Sequence, residues 1–266
     1  MPGVHNAATA RLVERCGFDA VYVSGAGLSN ATAGVPDIGL LSRGEVAQLA
    51  GYIAKAVRIP VVADADTGFG GPREAAQTVR DFERAGLAGL HIEDQVFPKR
   101  CGHLGGKELL PAREFCAKVR AAVKAKRDAG FLVVARTDAR AVEGFDAAVT
   151  RARAYLAAGA DAVFPEALET EREFREFAKQ VRAPLMANMT EFGRSPLLGV
   201  RRLARMGYRM VIFPQMAFRV SMKASEACLR DLKRAGTQRS WLGRMQTREE
   251  LYDLLDYDPS KASWPG

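Results

Sequence analysis

The chain has 266 residues, 48% hydrophobic and 26% charged, with 39 Lys and Arg against 31 Asp and Glu for a formal net charge of +8. That mixture can bury a large core and excludes a disordered chain. No run of about eighteen apolar residues is present, which argues against a membrane-spanning helix. The opening Met1-Pro2-Gly3-Val4-His5 lacks the basic-then-apolar pattern of a signal peptide. Four cysteines without CxxC spacing point to a reducing cytoplasm rather than to a disulfide framework or a zinc site. The positive charge is interspersed with acidic residues and lacks aromatic–basic interleaving. It reads as solvated helix faces, and neither nucleic acid nor membrane is expected as a partner.

One phrase recurs along the chain: a helix end carrying Gly, then a short apolar run. It is Cys16-Gly17-Phe18-Asp19-Ala20-Val21-Tyr22 first, then Ala85-Gly86-Leu87-Ala88-Gly89-Leu90-His91. Ala158-Gly159-Ala160-Asp161-Ala162-Val163-Phe164 and Met206-Gly207-Tyr208-Arg209-Met210-Val211-Ile212 repeat it. Glycine there supplies the left-handed turn that ends a helix. Two further runs, Ile59-Pro60-Val61-Val62-Ala63 and Ala183-Pro184-Leu185-Met186-Ala187, begin through proline, and Gly130-Phe131-Leu132-Val133-Val134-Ala135 completes the set. Near-continuous apolar strands are what a parallel sheet covered on both faces requires. Between them lie amphipathic helices, with Ala75, Val79 and Phe82 on one face, then Phe115, Val119 and Ala122, then Phe145, Val149 and Ala152. The alternation predicts an α/β fold, a (β/α)8 TIM-type barrel in one domain over 1–266, with extra C-terminal helices from about residue 217. Seven strands are legible. The remaining one would precede Pro2-Gly3, so the first strand is expected to be truncated at the N-terminus.

Catalytic groups of such barrels sit at the C-terminal ends of the strands, and polar residues collect there: Ser24-Gly25, Asp64 and Asp66, Glu93-Asp94, Arg136 and Asp138, Glu166, and Asn188 with Thr190. Asp64 and Asp66 are two apart, so both carboxylates can face one ion, and hard oxygen ligands favour Mg2+. In Lys99-Arg100-Cys101-Gly102-His103 the thiol follows two cations, which should lower its pKa toward thiolate. The glycine-containing stretch around it reads as a mobile lid. Thr67-Gly68-Phe69-Gly70-Gly71 lacks nucleotide-loop spacing. Cys16, Cys116 and Cys228 read as core, and His91 as a satisfied interior histidine.

These residues resemble the isocitrate lyase / phosphoenolpyruvate mutase superfamily, and within it the 2-methylisocitrate lyases most. The resemblance runs from Pro2 to about Tyr257. Lys99-Arg100-Cys101-Gly102-His103 looks like the lyase signature, and Phe164-Pro165 like the methylisocitrate branch. Supporting blocks are Asp64-Ala65-Asp66-Thr67-Gly68-Phe69-Gly70, His91-Ile92-Glu93-Asp94-Gln95, Ala135-Arg136-Thr137-Asp138-Ala139 and Asn188-Met189-Thr190-Glu191-Phe192-Gly193.

The resemblance implies a reverse Claisen cleavage of 2-methylisocitrate to pyruvate and succinate. Isocitrate or 2,3-dimethylmalate would be the alternative substrate, and a catalytically inactive barrel the alternative role. It implies Mg2+, with Mn2+ as a substitute, on Asp64 and Asp66. It places substrate against Ser24, Gly25, Ala26 (where relatives carry Gly), Cys101, Gly102, Arg136, Glu166, Asn188, Thr190, Arg219 and Arg248. Cys101 would be the general acid and Tyr22 a candidate base. His103, Lys99 and Glu166 would tune the thiol, and Arg136 would fork a carboxylate. A homotetramer with exchanged C-terminal helices is the expected assembly.

Overall fold

The computed structural model describes residues 1–258 and 260. Eight parallel strands follow one another around a nearly closed barrel in chain order. They are β1 (Gly3–Val4), β2 (Val21–Val23), β3 (Val61–Asp64), β4 (Gly89–Glu93), β5 (Leu132–Thr137), β6 (Ala162–Pro165), β7 (Leu185–Asn188) and β8 (Tyr208–Ile212). The helices are α1 (Ala7–Arg15), α2 (Gly25–Leu28), α3 (Arg43–Ala56), α4 (Pro72–Arg84), α5 (Ala112–Ala125) and α6 (Ala139–Val142). After them come α7 (Phe145–Ala157), α8 (Glu171–Gln180), α9 (Val200–Met206), α10 (Met216–Ala235) and α11 (Arg248–Leu254).

The strand that the hydrophobic pattern left blank is β1, two residues long. It pairs with β2 through Gly3 opposite Tyr22 and Val4 opposite Val23. On its other edge the Gly3 N–H donates to the Phe213 carbonyl at 2.9 Å, and the Phe213 N–H donates to the Met1 carbonyl at 3.2 Å. This joins the first strand to the segment leaving β8. Gly3 is required at that seam, because a Cβ would lie 2.5 Å from the Pro214 carbonyl carbon.

The barrel interior is a small apolar floor that includes Tyr22, Val62, Val134, Phe164, Met186 and Ile212. Strand side chains alternate faces, so the residue two further along points the same way. Two steps beyond Val62 is Asp64, beyond Val134 is Arg136, beyond Phe164 is Glu166, and beyond Met186 is Asn188. The inward face therefore changes from apolar to polar within one repeat, and that change makes the mouth. Outside the strands the predicted helix faces are buried: Ala75, Val79 and Phe82 of α4, and Phe115, Val119 and Ala122 of α5. Burying a ring such as Phe82 contributes about 1.5–3 kcal/mol.

The C-terminal helices behave differently. None of the twenty residues of α10 is buried, and it exposes Val220, Met222 and Leu229. α11 lies on α1, where Arg15 meets Asp253 at 2.5 Å and Arg11 donates to the Leu254 carbonyl at 3.2 Å. Of the cysteines read as core, Cys116 is buried and Cys228 half-buried, but Cys16 is exposed. Cys16 caps the C-terminal end of α1, a position that solvates it. No described helix is long and apolar enough to cross a membrane.

Candidate active site

At the C-terminal ends of the strands lies a cavity of about 510 Å³, lined among others by Tyr22, Ser24, Ala26, Asp64, Cys101, Gly102, His103, Arg136, Glu166, Asn188, Thr190 and Arg219. Thus most of the residues singled out in the sequence share one space. Of those expected to touch substrate or metal, three do not line it. Gly25 stands behind Asp64, where a Cβ would come 2.9 Å from Oδ2. Asp66 sits just beyond, in the left-handed region at φ 46°. Arg248 is exposed at the start of α11 and lies outside this cavity.

One side of the mouth is rich in carboxylates. The Asp66 N–H donates to Asp64 Oδ1 at 2.9 Å. The buried Lys99 ammonium meets Asp66 Oδ1 at 2.7 Å and also pairs with Asp37. Burial raises the pKa of both Asp64 and Asp66 although Lys99 opposes it. Burial also lifts Glu93 well above the usual carboxylate range. Neither of its oxygens has a hydrogen-bond partner, with Arg136 Nη1 3.2 Å away. Among the described residues no three His, Cys, Asp or Glu side chains already form a metal cage. The donor set is nonetheless hard oxygen throughout, and the cation paired directly with Asp66 is the Lys99 ammonium. Asp64 and Asp66 fit a divalent ion of the Mg2+ type.

The other side is built on Arg136. Its Nε donates to Asp138 Oδ2 at 3.0 Å and its Nη2 to Oδ1 at 3.2 Å. Glu93 lies 3.2 Å from Nη1 and Glu166 3.4 Å from the same Nη2, and the guanidinium covers the Phe164 ring at 5.2 Å. The expected fork for a substrate carboxylate is therefore already engaged by Asp138. Burial works against ionisation of Glu166, but Arg136 and His103 outweigh it and hold the carboxyl below its usual range. His103 Nδ1 accepts from the Arg194 N–H at 3.0 Å, which leaves Nε2–H to face Glu166 at 3.1 Å.

The lid is folded in. Gly102 presses so closely on Arg136 and Glu166 that a Cβ would stand 2.5 Å from Glu166 Cγ. Gln95 clasps the Arg100 backbone with two hydrogen bonds of 2.9 Å. The thiol departs from expectation. Lys99 turns to the carboxylates, and Arg100 is exposed, with Nη1 turned to the Gly105 carbonyl at 3.4 Å. Burial consequently pushes the Cys101 pKa up, although a backbone hydrogen bond from His103 counters it. The group is a thiol, not a thiolate.

Tyr22 is likewise unsuited to be an anionic base. Burial, then Asp64, raises its phenol well above 10.0. Its hydroxyl lies 2.8 Å from His91 Nε2. His91 is fully buried, and burial and Arg136 bring its pKa down to about 3, so it is neutral. Residues that sequence reasoning missed are Asp37 and Gln215, both lining the cavity, and Glu93, placed at the mouth without a role. Asp37 sits in a Pro- and Gly-containing loop, Val35-Pro36-Asp37-Ile38-Gly39, with no spacing that ties it to a strand end.

A strand-end mouth of paired aspartates, an arginine and a lid cysteine on a (β/α)8 barrel defines a class, and the chain belongs to the phosphoenolpyruvate mutase / isocitrate lyase superfamily. The family model for phosphoenolpyruvate phosphomutase matches residues 1–233. More particularly, the chain is 54% identical over 256 residues to a 2-methylisocitrate lyase of Aeropyrum pernix, covering 96% of this chain and 82% of that protein. It is 46% identical to the 2-methylisocitrate lyase of Bacillus subtilis, covering 97% and 84%. Among solved structures, a 2,3-dimethylmalate lyase superposes with a TM-score of 0.91 at 36% identity, covering 96% of this chain and 85% of that one. A phosphonopyruvate hydrolase in complex with oxalate and Mg++ gives 0.86 at 32% identity, covering 96% and 89%. The chain is an enzyme of the carbon–carbon lyase branch.

Proposed function

We propose that this chain cleaves 2-methylisocitrate to pyruvate and succinate by a reverse Claisen reaction that depends on Mg2+, with Mn2+ able to substitute. The observation that carries the reading is that the Cys101 thiol, whose pKa burial raises, and Asp64 line one cavity beneath a closed lid. The substrate is a tricarboxylate. Arg136 would take one carboxylate by exchanging it for part of its pairing to Asp138, Glu93 or Glu166. Ser24, Gly25, Ala26, Asn188 and Thr190 would position the rest by backbone and side-chain hydrogen bonds.

Asp64 and Asp66 would hold the metal, which when bound stabilises negative charge on substrate oxygens. Bond cleavage leaves electron density on the carbon that becomes a methylene of succinate, and Cys101 delivers a proton there as general acid. Its raised pKa keeps the proton available at neutral pH. Glu166 and His103 hold the lid side in register, and the closed lid excludes water that could protonate the carbon first. The substrate hydroxyl must lose its proton as the carbonyl of pyruvate forms; Tyr22, itself kept protonated, would relay it, taking the hydroxyl proton as it passes its own to the neutral His91 Nε2 2.8 Å away.

The assembly proposed is a homotetramer exchanging C-terminal helices. Support comes from α10, which buries none of its own residues. Arg248, outside the cavity of its own chain, would serve in a neighbour's, and Arg219 lines the rim of its own. Four free thiols suit a reducing cytoplasm.

The test is pyruvate release from methylisocitrate, isocitrate and dimethylmalate with Mg2+, for wild type and Cys101→Ser. Methylisocitrate should be preferred, and the variant should lose about 10²–10⁴ in kcat, the range of general acid catalysis. Near-normal turnover by the variant would remove the thiol from the chemistry.

A further inference from the structure

Lys107 closes the lid segment, and its side chain is 1% exposed. A buried ammonium is costly unless each charge and donor finds a partner. Here it donates to the Gly102 carbonyl and to Asp138 Oδ1, the latter at 2.7 Å. The same Asp138 carboxylate accepts the fork from Arg136, and its own N–H donates to Asp94 Oδ1 at 2.9 Å. A continuous chain results: guanidinium, carboxylate, ammonium, then the Gly102–His103 peptide immediately after Cys101.

Gly102 is the point where this chain matters, because its backbone lies directly against Arg136 and Glu166. Other lid contacts act elsewhere. Gln95 holds the Arg100 backbone, Lys99 reaches the opposite wall, and Arg194 holds His103. Lys107 is the lid's own side chain that grips the Gly102 carbonyl from inside the barrel rim. It has both partners only while the lid is folded in. When a substrate carboxylate draws Arg136 partly away from Asp138, Lys107 remains to neutralise Asp138.

We propose that Lys107 is a positioning residue: it holds the Gly102–His103 peptide, one residue on from Cys101, over the cavity and, through Asp138, ties the place of the thiol to Arg136. The inference rests on the reading of Cys101 as proton donor. Displacing a reacting group by about an ångström costs about a hundredfold in rate, so the effect belongs in kcat rather than KM.

Three measurements on the folded enzyme test it: kcat and KM, circular dichroism with thermal melting, and the iodoacetamide rate at Cys101 followed on its own peptide. Lys107→Met should lower kcat by about a hundredfold while KM changes little. It should alkylate several-fold faster at Cys101 than wild type, and substrate should no longer slow that alkylation. Lys107→Gln, which keeps a donor without the charge, should recover part of both. If Lys107→Met does not fold, Lys107→Gln decides by the same readings, and there kcat should still fall and alkylation still quicken. A wild-type alkylation rate in the folded variant overturns the proposal even if kcat falls, since Lys107 would then not place the thiol. Cys101→Ser, measured alone, reports separately on the proton-donor reading.

Discussion

The two sides of the mouth both remove carboxylates from water and respond in opposite ways. On the side of Asp64 and Asp66, burial wins and both carboxylates are harder to ionise than in water. On the side of Asp138 and Glu166, both are easier to ionise although burial opposes it. The difference is the count of cations. Lys99 is the ammonium shared among Asp66, Glu93, Asp37 and Asp64, and together they hold it charged against its own desolvation. Across the cavity, Arg136 and Lys107 serve Asp138 and Glu166, and a hydrogen bond from His103 is added at Glu166. Desolvation sets the sign of a shift until a fixed opposite charge within about 4–6 Å exceeds it. The side short of positive charge is the side where a divalent cation fits.

The largest effect should come from breaking the deficient side. Asp64→Asn removes a proposed metal ligand and is expected to lower activity by about a hundredfold or more, the scale of losing a Lewis acid's charge stabilisation. Mg2+ binding by calorimetry should weaken in parallel. Thermal stability without metal should be no lower than wild type, because one uncompensated buried charge has gone. A variant that binds Mg2+ normally, or melts several degrees lower, would mean that this side is not short of positive charge.

Much of this contrast was legible in the sequence, and the part that was not has a physical reason. Seven strands announce themselves as apolar runs, whereas two residues of β1 carry no periodicity to detect. The two-residue spacing from floor to mouth gives Asp64, Arg136, Glu166 and Asn188 directly, because strand side chains alternate. The state of Cys101 was not legible. Lys99 and Arg100 precede it in the chain, yet the lid backbone sends Lys99 to the carboxylate wall and leaves Arg100 exposed. Adjacency in sequence is not proximity in space where the chain is irregular. Asp37 escaped for the same reason: a loop delivers it, and no period marks it.

A middle-sized effect probes the balanced side. Glu166 has a pKa depressed below its ordinary 4.5 by Arg136 and His103 against burial. A depressed carboxyl contributes stability that is present above pH 4.5 and lost as the pH falls through that value and below. Glu166→Gln should therefore cost about 3 kcal/mol at neutral pH, as removal of one partner from a buried pair does. The gap from wild type should narrow as the pH falls below 4.5. Denaturant melts at pH 7 and pH 4 measure both. A gap that is constant with pH would show that the carboxylate charge is not what Arg136 needs.

The smallest expected effect is a null one, and it separates chain adjacency from spatial contact. Arg100→Ala removes the cation next to Cys101 in the chain, but that side chain is exposed and its charge is screened by water. The Cys101 alkylation profile against pH should keep its midpoint above the ordinary 9.0 of a thiol, moving by less than about 0.3 units, the order a screened surface charge can exert. Activity should likewise persist through neutral pH and decline only as the thiol ionises. An upward move of a full unit would be about 1.4 kcal/mol of interaction. Arg100 would then be stabilising the thiolate after all, and the carboxylate wall would not be the sole destination of the positive charge in this motif.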